Sequence, residues 1–212
     1  VWCGSVIRGD DGRFHMFASM WPHDVPFKPN WLTNSMVVRA VADTAEGPYT
    51  FVEEVLPPRG AEHWDGCMTH NPSIRKVGDT YLLFYIGVSY GVGLPEDLSQ
   101  IPRETTDGTD PWIREIWLRK RIGLATAPSV FGPWTRRDKP ILKPRPHQWD
   151  RGTTSNPSPF VMPDGSIYLA YKSGYVTHGV NLKPFNIGIA RADAYDRPFE
   201  RVTHDPIVPQ PR

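Results

Sequence analysis

The sequence lacks the features that mark several common classes of protein. No apolar run approaches the roughly 18 residues needed to cross a bilayer. Lysine and arginine number 24 against 23 aspartate and glutamate, so there is no basic surplus for nucleic acid or an anionic membrane. A phosphate-binding glycine-rich loop, a Gly-x-Ser-x-Gly nucleophile motif and a Cys/His metal cluster are missing as well. We therefore expect no membrane span, no nucleic-acid partner and no metal-ligand set in these residues.

Cysteine is scarce too. Cys3 and Cys67 allow one disulfide at most and lack the spacing of a metal site, so we expect buried free thiols and leave their pairing open. The chain begins with Val1 and has no signal peptide, which indicates a start inside a fold. The compartment stays open, with a periplasmic or secreted location favoured over the cytoplasm.

Turn-forming residues and aromatic residues are abundant. The 212 residues include 23 prolines and 18 glycines, and 12% of them are aromatic. So many turn-forming residues, together with few long segments of helical periodicity, predict short strands joined by many turns. The length is enough for one sizeable core and indicates one domain.

One segment of the sequence occurs twice. Residues 64–73 read WDGCMTHNPS and residues 149–158 read WDRGTTSNPS, so Trp, Asp, Thr, Asn, Pro and Ser match without a gap. Each copy is followed by a turn and an alternating strand, and an earlier relative of that turn and strand lies at residues 11–17. In this relative, residues 4–7 (GSVI) take the place of Asn-Pro-Ser-Ile, which aligns Gly4 with the Asn.

Local turn signals divide each repeated unit into strands. Asp-Gly between apolar runs predicts a hairpin, because Gly accepts the positive φ that such turns require. A strand of small residues followed by a Pro-aromatic turn closes each unit, at residues 39–49, 123–134 and 188–199. Four antiparallel strands per unit predict an all-β fold of propeller blades, since solenoid repeats are only about 20–45 residues long. A β-sandwich, the alternative, would not explain the identity between units.

The repeat divides the chain into blade 1 (residues 1–62), blade 2 (63–147) and blade 3 (148–212). Three blades cannot close a ring, because propellers have at least four. We therefore expect the remaining blades to come from the rest of the same protein.

The order of these motifs resembles the five-bladed glycosidase propellers of glycoside hydrolase family 43 and its relatives, families 32, 62, 68 and 117. The resemblance lies in residues 70–74 (HNPSI), in the Asp-Gly hairpins and in the Gly-Pro-aromatic turns, and it covers essentially the whole chain. Residues 2–5 (WCGS) and Trp21 look most similar to the family 117-like branch. The resemblance implies a five-bladed β-propeller, of which about three blades lie in this chain.

The resemblance also implies an active site at the mouth of the central channel. It implies an Asp base in the first blade, an assisting Asp in the third and a Glu acid in the fourth. This sequence departs from that pattern, because residues 2–5 contain no Asp and Asn156 stands where the third blade would have Asp. We therefore expect a base upstream of Val1 and an acid beyond Arg212.

Asp65 and Asp150 are the candidate catalytic carboxylates, since each lies on the loop that enters an innermost strand. Inverting glycosidases hold an acid and a base carboxyl about 6.5–9.5 Å apart. The alternative for both is structural, because an Asp after Trp also caps a turn. His70 is the third catalytic candidate: its counterpart in the next blade is Ser155, so blade geometry does not require histidine. A buried, hydrogen-bonded histidine is the alternative.

Three candidate substrate-binding residues belong to the repeated segment. Asn71 and Asn156 begin innermost strands in two blades, and their repetition also fits a role in the turn. Trp64 can stack on a sugar, and it also fits packing between blades.

Four further candidates for substrate binding differ between the blades. Arg151 and Lys172 can hold a carboxylate partner or an acidic sugar, and a solvated surface charge is the alternative. Trp21 and His23 follow the first hairpin and can stack on a sugar ring or form a plain surface turn.

Residues 89–120 form an insertion in the middle blade. Residues 95–98 and 111–117 each suggest a short helical turn, and Trp112 and Trp117 lie in the second of them. Loops of this length are usually functional or disordered. We expect an ordered flap that shapes the pocket or packs against a neighbouring subunit.

The sequence thus predicts a glycoside hydrolase that cleaves a terminal or internal bond of a plant or algal type oligosaccharide or polysaccharide. The mechanism expected is acid/base catalysis by carboxylates, inverting rather than retaining. A non-catalytic carbohydrate-binding or scaffold propeller is the alternative. No cofactor is expected to be required, and a structural calcium ion in the central channel is a further prediction.

Overall fold

The computed structural model describes residues 1–24, 27–91, 111–174, 176–177, 181–182 and 185–208. Within these ranges the chain folds into three four-stranded antiparallel sheets, one two-stranded ribbon and two short helices. The predicted all-β propeller fold is confirmed. Neither helix in these ranges is long and apolar enough to cross a membrane.

Blade 1 is the first sheet. Its strands, in spatial order, are β1 (Trp2–Arg8), β2 (Phe14–Met20), β3 (Met36–Ala42) and β4 (Thr50–Leu56). A tight turn joins β1 to β2, and Gly12 in this turn has φ +81°, a conformation that favours glycine. Helix α1 (Phe27–Thr33) lies in the connection from β2 to β3.

Blade 2 is the middle sheet. Its strands, in spatial order, are β5 (Met68–Val77), β6 (Thr80–Val88), β7 (Arg121–Ala127) and β8 (Thr135–Arg136). Helix α2 (Pro111–Leu118) precedes β7 and lies in the predicted insertion. The helical turn predicted at residues 95–98 lies outside the described residues.

Blade 3 is the last sheet. Its strands, counted outward from the first, are β9 (Ser155–Val161), β10 (Ile167–Ser173), β13 (Asn186–Ala192) and β14 (Glu200–Arg201). The ribbon formed by β11 (Val176–Thr177) and β12 (Asn181–Leu182) lies between β10 and β13 along the chain. The three sheets lie within the residue ranges expected for the three blades.

The first strands of the three sheets lie side by side, with β5 in contact with both β1 and β9. This is the arrangement of the innermost strands of successive propeller blades. Strand β6 of the middle blade is buried at every position after Thr80, whereas β1 is largely exposed. The middle blade is thus covered on both sides, and blades 1 and 3 each have an open face.

Two of the three buried clusters in the described residues form layers between neighbouring blades, and the third lies around the two helices. Successive side chains of a strand point to opposite faces, and β6 supplies both layers. Leu83 and Tyr85 belong to the layer shared with blade 1, while Leu82 and Phe84 belong to the layer shared with blade 3. The repeated strand pattern of the sequence therefore builds two similar interfaces.

A β-bulge interrupts the start of each innermost strand. The register shifts between Trp2 and Ser5 in β1, between His70 and Ser73 in β5, and opposite residues 170–172 in β9. Bulges bend a strand and change the direction in which its side chains point. The three shifts place equivalent residues of the blades at the mouth of the channel.

Each bulge contains a residue in the left-handed backbone region. The φ angles are +50° at Cys3, +46° at Asn71 and +51° at Asn156, and Asn tolerates this region better than most residues. The register equates these three residues. The sequence alignment, which placed Gly4 opposite Asn71, is therefore wrong by one position, because it paired Ile7 with Ile74, whereas the register pairs Ser5 with Ser73.

Both cysteines are free thiols, as expected. Cys67 is buried, and burial raises its pKa to about 12. Cys3 is exposed, so its predicted burial is wrong; it lies on β1, whose blade has an open face.

Candidate functional site

A cavity of about 370 Å³ opens where the three innermost strands begin. Its wall includes Trp2 from β1, His70 and Asn71 from β5, and Asn156 from β9. The bulges thus direct side chains of three successive blades to one place. The volume lies within the range of small-molecule sites.

The two helices add an aromatic wall to this cavity. Phe27 and Trp31 come from α1 and Trp117 from α2, and α1 packs on α2 around buried Leu32 and Ile116. The Phe27 and Trp31 rings are stacked, with centroids 6.3 Å apart. The packing of α1 on α2 therefore fixes the positions of these aromatic rings in the cavity wall.

Two lysines complete the described lining. Lys120 and Lys172 border both this cavity and an adjoining one of about 120 Å³. Lys120 Nζ lies 4.6 Å from the centroid of the Trp31 ring, and Lys172 Nζ lies 4.8 Å from that of Phe185. Burial, with the charge of Lys172 adding to it, lowers the pKa of Lys120 to about 7, and burial also lowers the pKa of Lys172. Among the described residues, no carboxylate acts on either amine.

Two buried polar atoms of the lining have no hydrogen-bond partner among the described residues. They are Oδ1 of Asn71, an acceptor, and Nε1 of Trp117, a donor. An unsatisfied buried polar group costs about 1–3 kcal/mol, and most such groups in native proteins are satisfied.

His70 lies in the wall as a neutral side chain. Its Nδ1 is 2.7 Å from Oγ of Ser35, and its ring centroid is 5.6 Å from that of Trp31. Burial, with the nearby charge of Lys120, lowers the pKa of His70 to about 3. At physiological pH the ring is therefore a hydrogen-bonding group without charge.

Asp65 lies outside the lining of the cavity, in a buried ion-pair cluster. Its side chain is fully enclosed. Oδ1 accepts from Nε of Arg59 at 2.7 Å, and Oδ2 accepts from Nη1 of Arg136 at 3.1 Å and from the Tyr85 hydroxyl at 2.8 Å. Burial, followed by the charge of Asp65, raises the pKa of Tyr85 well above its ordinary value.

Asp150 repeats this cluster in the next blade. It is also fully enclosed. Oδ1 accepts from Nε of Arg145 at 2.8 Å, and Oδ2 pairs with Nη2 of Arg201 at 2.9 Å and accepts from the Tyr171 hydroxyl at 2.9 Å. Burial raises the pKa of Tyr171 to about 12.

The geometry favours the structural role for both aspartates. Each carboxylate bonds one arginine from the loop that precedes its blade and one from the outermost strand of the blade, and neither carboxylate lines the channel-mouth cavity. We therefore keep Asp65 and Asp150 out of the proposed chemistry. The expectation that they approach the channel mouth as a catalytic pair finds no support in their position.

Trp64 has a structural position as well. Its ring stacks on Tyr85 at 5.7 Å, and Nε1 donates to the carbonyl of Arg137. A Cβ on Gly123 would come within 2.4 Å of this ring. The glycine near the start of β7 therefore makes room for the tryptophan.

The other predicted substrate-binding residues divide into two groups. Asn71, Asn156 and Lys172 line the cavity. Arg151 and His23 are exposed in turns and do not line it, and Trp21 lies behind Phe27, with ring centroids 5.3 Å apart.

Sequence reasoning missed Trp2, Phe27, Trp31 and Lys120 as lining residues, and it placed Trp117 only generally in a flap. The spacing of Phe27 and Trp31 is that of neighbours on one helical face, and this was the available signal. Lys120 gave no such signal, because a lysine at the end of an insertion is usually a surface charge.

The described lining does not suit the predicted calcium ion. Calcium takes oxygen ligands, mostly carboxylates and carbonyls, whereas Lys120 and Lys172 bring positive charge to the cavity. No group of three or more potential His, Cys, Asp or Glu ligands occurs in the described part of the chain.

A larger concavity of about 470 Å³ lies on another part of the surface, formed by residues 137–141 with Pro198 and Phe199. It contains none of the predicted site residues, and it is remote in sequence from the starts of the innermost strands. We therefore take the channel-mouth cavity as the candidate site.

No protein-family model matches the chain, and no curated protein matches it in sequence. Solved structures do match. A family 117 glycoside hydrolase of the marine bacterium Zobellia galactanivorans superposes with a TM-score of 0.72 at 19% identity, over 99% of this chain and 57% of that chain. For a thermostable family-43 glycoside hydrolase the TM-score is 0.57 at 16% identity, over 99% and 59% of the two chains.

The Penicillium chrysogenum alpha-L-arabinanase, complexed with arabinobiose, has a TM-score of 0.58 at 12% identity, over 98% of this chain and 52% of that chain. The chain thus spans somewhat more than half the length of these structures. At such identities the likeness concerns the fold, which is a partial propeller of the type found in glycoside hydrolases.

Proposed function

We propose that this protein binds an oligosaccharide at the mouth of the propeller channel and acts as a glycoside hydrolase. The observation that carries the proposal is the cavity at the starts of β1, β5 and β9, lined by aromatic and hydrogen-bonding side chains. Proteins of similar fold include glycoside hydrolases. Fold alone does not determine chemistry, so the proposal rests on the composition of this cavity.

The lining has what a sugar ring requires. A sugar presents C–H groups on its faces and hydroxyl groups at its edges, so it needs apolar surface beside polar groups. Trp31 and Trp117 supply aromatic surface, and Asn71, Asn156 and neutral His70 supply hydrogen-bonding groups. Sites with this mixture of aromatic surface and a few placed polar groups are typical of small-molecule binding.

Hydrolysis needs two carboxyl groups on opposite sides of the scissile bond. Of the described residues that line the cavity, none is Asp or Glu. We propose that the carboxylates come from elsewhere in the protein, on blades that cover the open faces of blades 1 and 3. The inverting outcome and the plant or algal origin of the substrate stay predictions from the family resemblance.

A second candidate function is carbohydrate binding without catalysis. The observation that favours it is the residue set at the three bulges, where Cys3, Asn71 and Asn156 stand in equivalent positions and carry no carboxylate. Such a protein would hold the sugar with the same lining and would not cleave it.

The test combines binding and hydrolysis in one panel of aryl furanosides, aryl pyranosides and algal oligosaccharides. Binding is measured by titration calorimetry and cleavage by product release. Trp117→Ala should weaken saccharide binding at least tenfold, while Phe51→Ala, an exposed aromatic on the outermost strand of blade 1, should leave it unchanged.

Binding with cleavage supports the hydrolase, and binding without cleavage supports the second candidate. If the panel does not bind, or if binding is the same in Trp117→Ala as in the wild type, the saccharide site proposed here is wrong.

A further inference from the structure

Two positive side chains from different blades meet at the channel-mouth cavity. Lys120 follows α2 in blade 2, and Lys172 lies on β10 in blade 3; both line the main cavity and the smaller one beside it. The charge of Lys172 acts on the Lys120 amine. Placing two like charges together is unfavourable unless an opposite charge lies between them.

The fold provides such an opposite charge at two pairs of arginines. Asp65 lies between Arg59 and Arg136, and Asp150 lies between Arg145 and Arg201. In the part of the chain described by the structure, the lysine pair has no such carboxylate and is in contact with aromatic faces instead. Among the described residues, the lysine pair therefore lacks the kind of anion that each of these two arginine pairs shares.

The surroundings of the two lysines indicate what kind of anion fits. A small inorganic ion would need only the two amines. This cavity also offers the Trp31 and Trp117 rings and the amide side chains of Asn71 and Asn156. A ligand that uses all of these groups has an anionic substituent, a ring with C–H faces and hydroxyl groups.

We infer that the bound saccharide is acidic, and that its carboxylate or sulfate ester is held between Lys120 and Lys172. The inference rests on the proposed function, because it names the class of saccharide that the same cavity takes. Lysine suits both anions, since its ammonium group is a compact charge with three donors.

The test compares sugars that differ only in the anionic group. The probes are methyl galacturonoside against methyl galactoside, methyl glucuronoside against methyl glucoside, and galactose 6-sulfate against galactose. Binding is followed by titration calorimetry and by the fluorescence of the tryptophans beside the cavity. We expect at least one acidic probe to bind tenfold or more tightly than its neutral partner, and the carboxylate and sulfate pairs show which anion is preferred.

Charge-removing variants assign that preference to the two lysines. Lys120→Met and Lys172→Met should each abolish most of the preference while still binding the neutral probe, which shows that the cavity is intact. Lys143→Met, a matched control at an exposed position, should keep the wild-type preference.

Equal binding of acidic and neutral partners would overturn this inference and leave the saccharide site standing. A preference that persists in both Lys120→Met and Lys172→Met would also overturn it. If none of the probes binds, the proposed function fails together with the inference.

Discussion

Replacing Asp150 by Asn tests whether this buried carboxylate stabilises the fold or takes part in the chemistry. The substitution keeps the volume and removes the charge that Arg145 and Arg201 share, at 2.8 and 2.9 Å. Removing one partner of a buried ion pair costs about 3–5 kcal/mol. The arginine side chains are 25% and 15% exposed, and the amide can still accept a hydrogen bond. We therefore expect the lower end, about 3 kcal/mol, out of a total stability of roughly 5–15 kcal/mol.

The assay is equilibrium unfolding in urea. With a slope of about 1–3 kcal/mol per molar urea, a loss of about 3 kcal/mol lowers the midpoint by roughly 1–3 M. Asp193→Asn is the matched control, because Asp193 also pairs with an arginine, Arg191, but its side chain is 79% exposed. Exposed pairs contribute little to stability, so its midpoint should stay where it is.

One result would refute the structural interpretation. If Asp150→Asn unfolded at the wild-type midpoint and lost hydrolytic activity, with kcat reduced far more than KM, the residue would act in the transition state. The arginines around it would then have to be explained as part of the catalytic machinery.

Three further predictions concern the cavity. His70 is neutral in the folded protein down to about pH 3 and titrates near pH 6.5 in the unfolded chain. Acidification below about pH 6.5 should therefore lower the free energy of unfolding by up to roughly 1.4 kcal/mol per pH unit. In urea unfolding, this pH dependence should be lost in His70→Gln and kept in His204→Gln. Asn156→Ala should lower the free energy of unfolding by about 1 kcal/mol, because alanine tolerates the left-handed backbone of this position poorly. Asn156→Gly should lower it less. Equal urea midpoints for the two variants would argue against backbone strain at this position. The affinity for an acidic probe should fall up to about tenfold per pH unit above pH 7, because binding needs protonated Lys120. The titratable neighbours of Lys120 in the described residues include Lys172 and His70. Calorimetry in buffers of different ionisation enthalpy should show proton uptake on binding, and pH-independent binding would contradict this prediction.

The fold could be predicted from the sequence because local and repeated signals agree. The duplicated segments, the Asp-Gly hairpins and the Pro-aromatic turns each mark one part of a blade, and tertiary structure follows them closely. The bulge at the start of each innermost strand could not be predicted, because it adds a residue without changing which residues are apolar. The alignment of β1 was wrong for another reason: it paired Ile7 with Ile74, whereas the register pairs Ser5 with Ser73. Cys3 was therefore assigned one position away from its true counterpart, Asn71.

The site was harder to predict than the fold. The Trp-Asp pair occurs in both blades, and such repetition is what a structural cluster produces, but the loop sequence does not reveal that Arg136 reaches Asp65 from far along the chain. Trp31 and Lys120 reach the cavity through helix packing between two loops. That arrangement depends on long-range contacts, for which a single sequence gives no spacing rule.

The central claim is that the mouth of the channel, where β1, β5 and β9 begin, is a saccharide site. A crystal structure of the protein with a bound methyl uronoside tests it most directly. The account predicts a sugar ring against Trp31 and Trp117, with its carboxylate within hydrogen-bond distance of Lys120 or Lys172. A ring bound in the concavity beside Arg137, with the channel mouth empty, would contradict it.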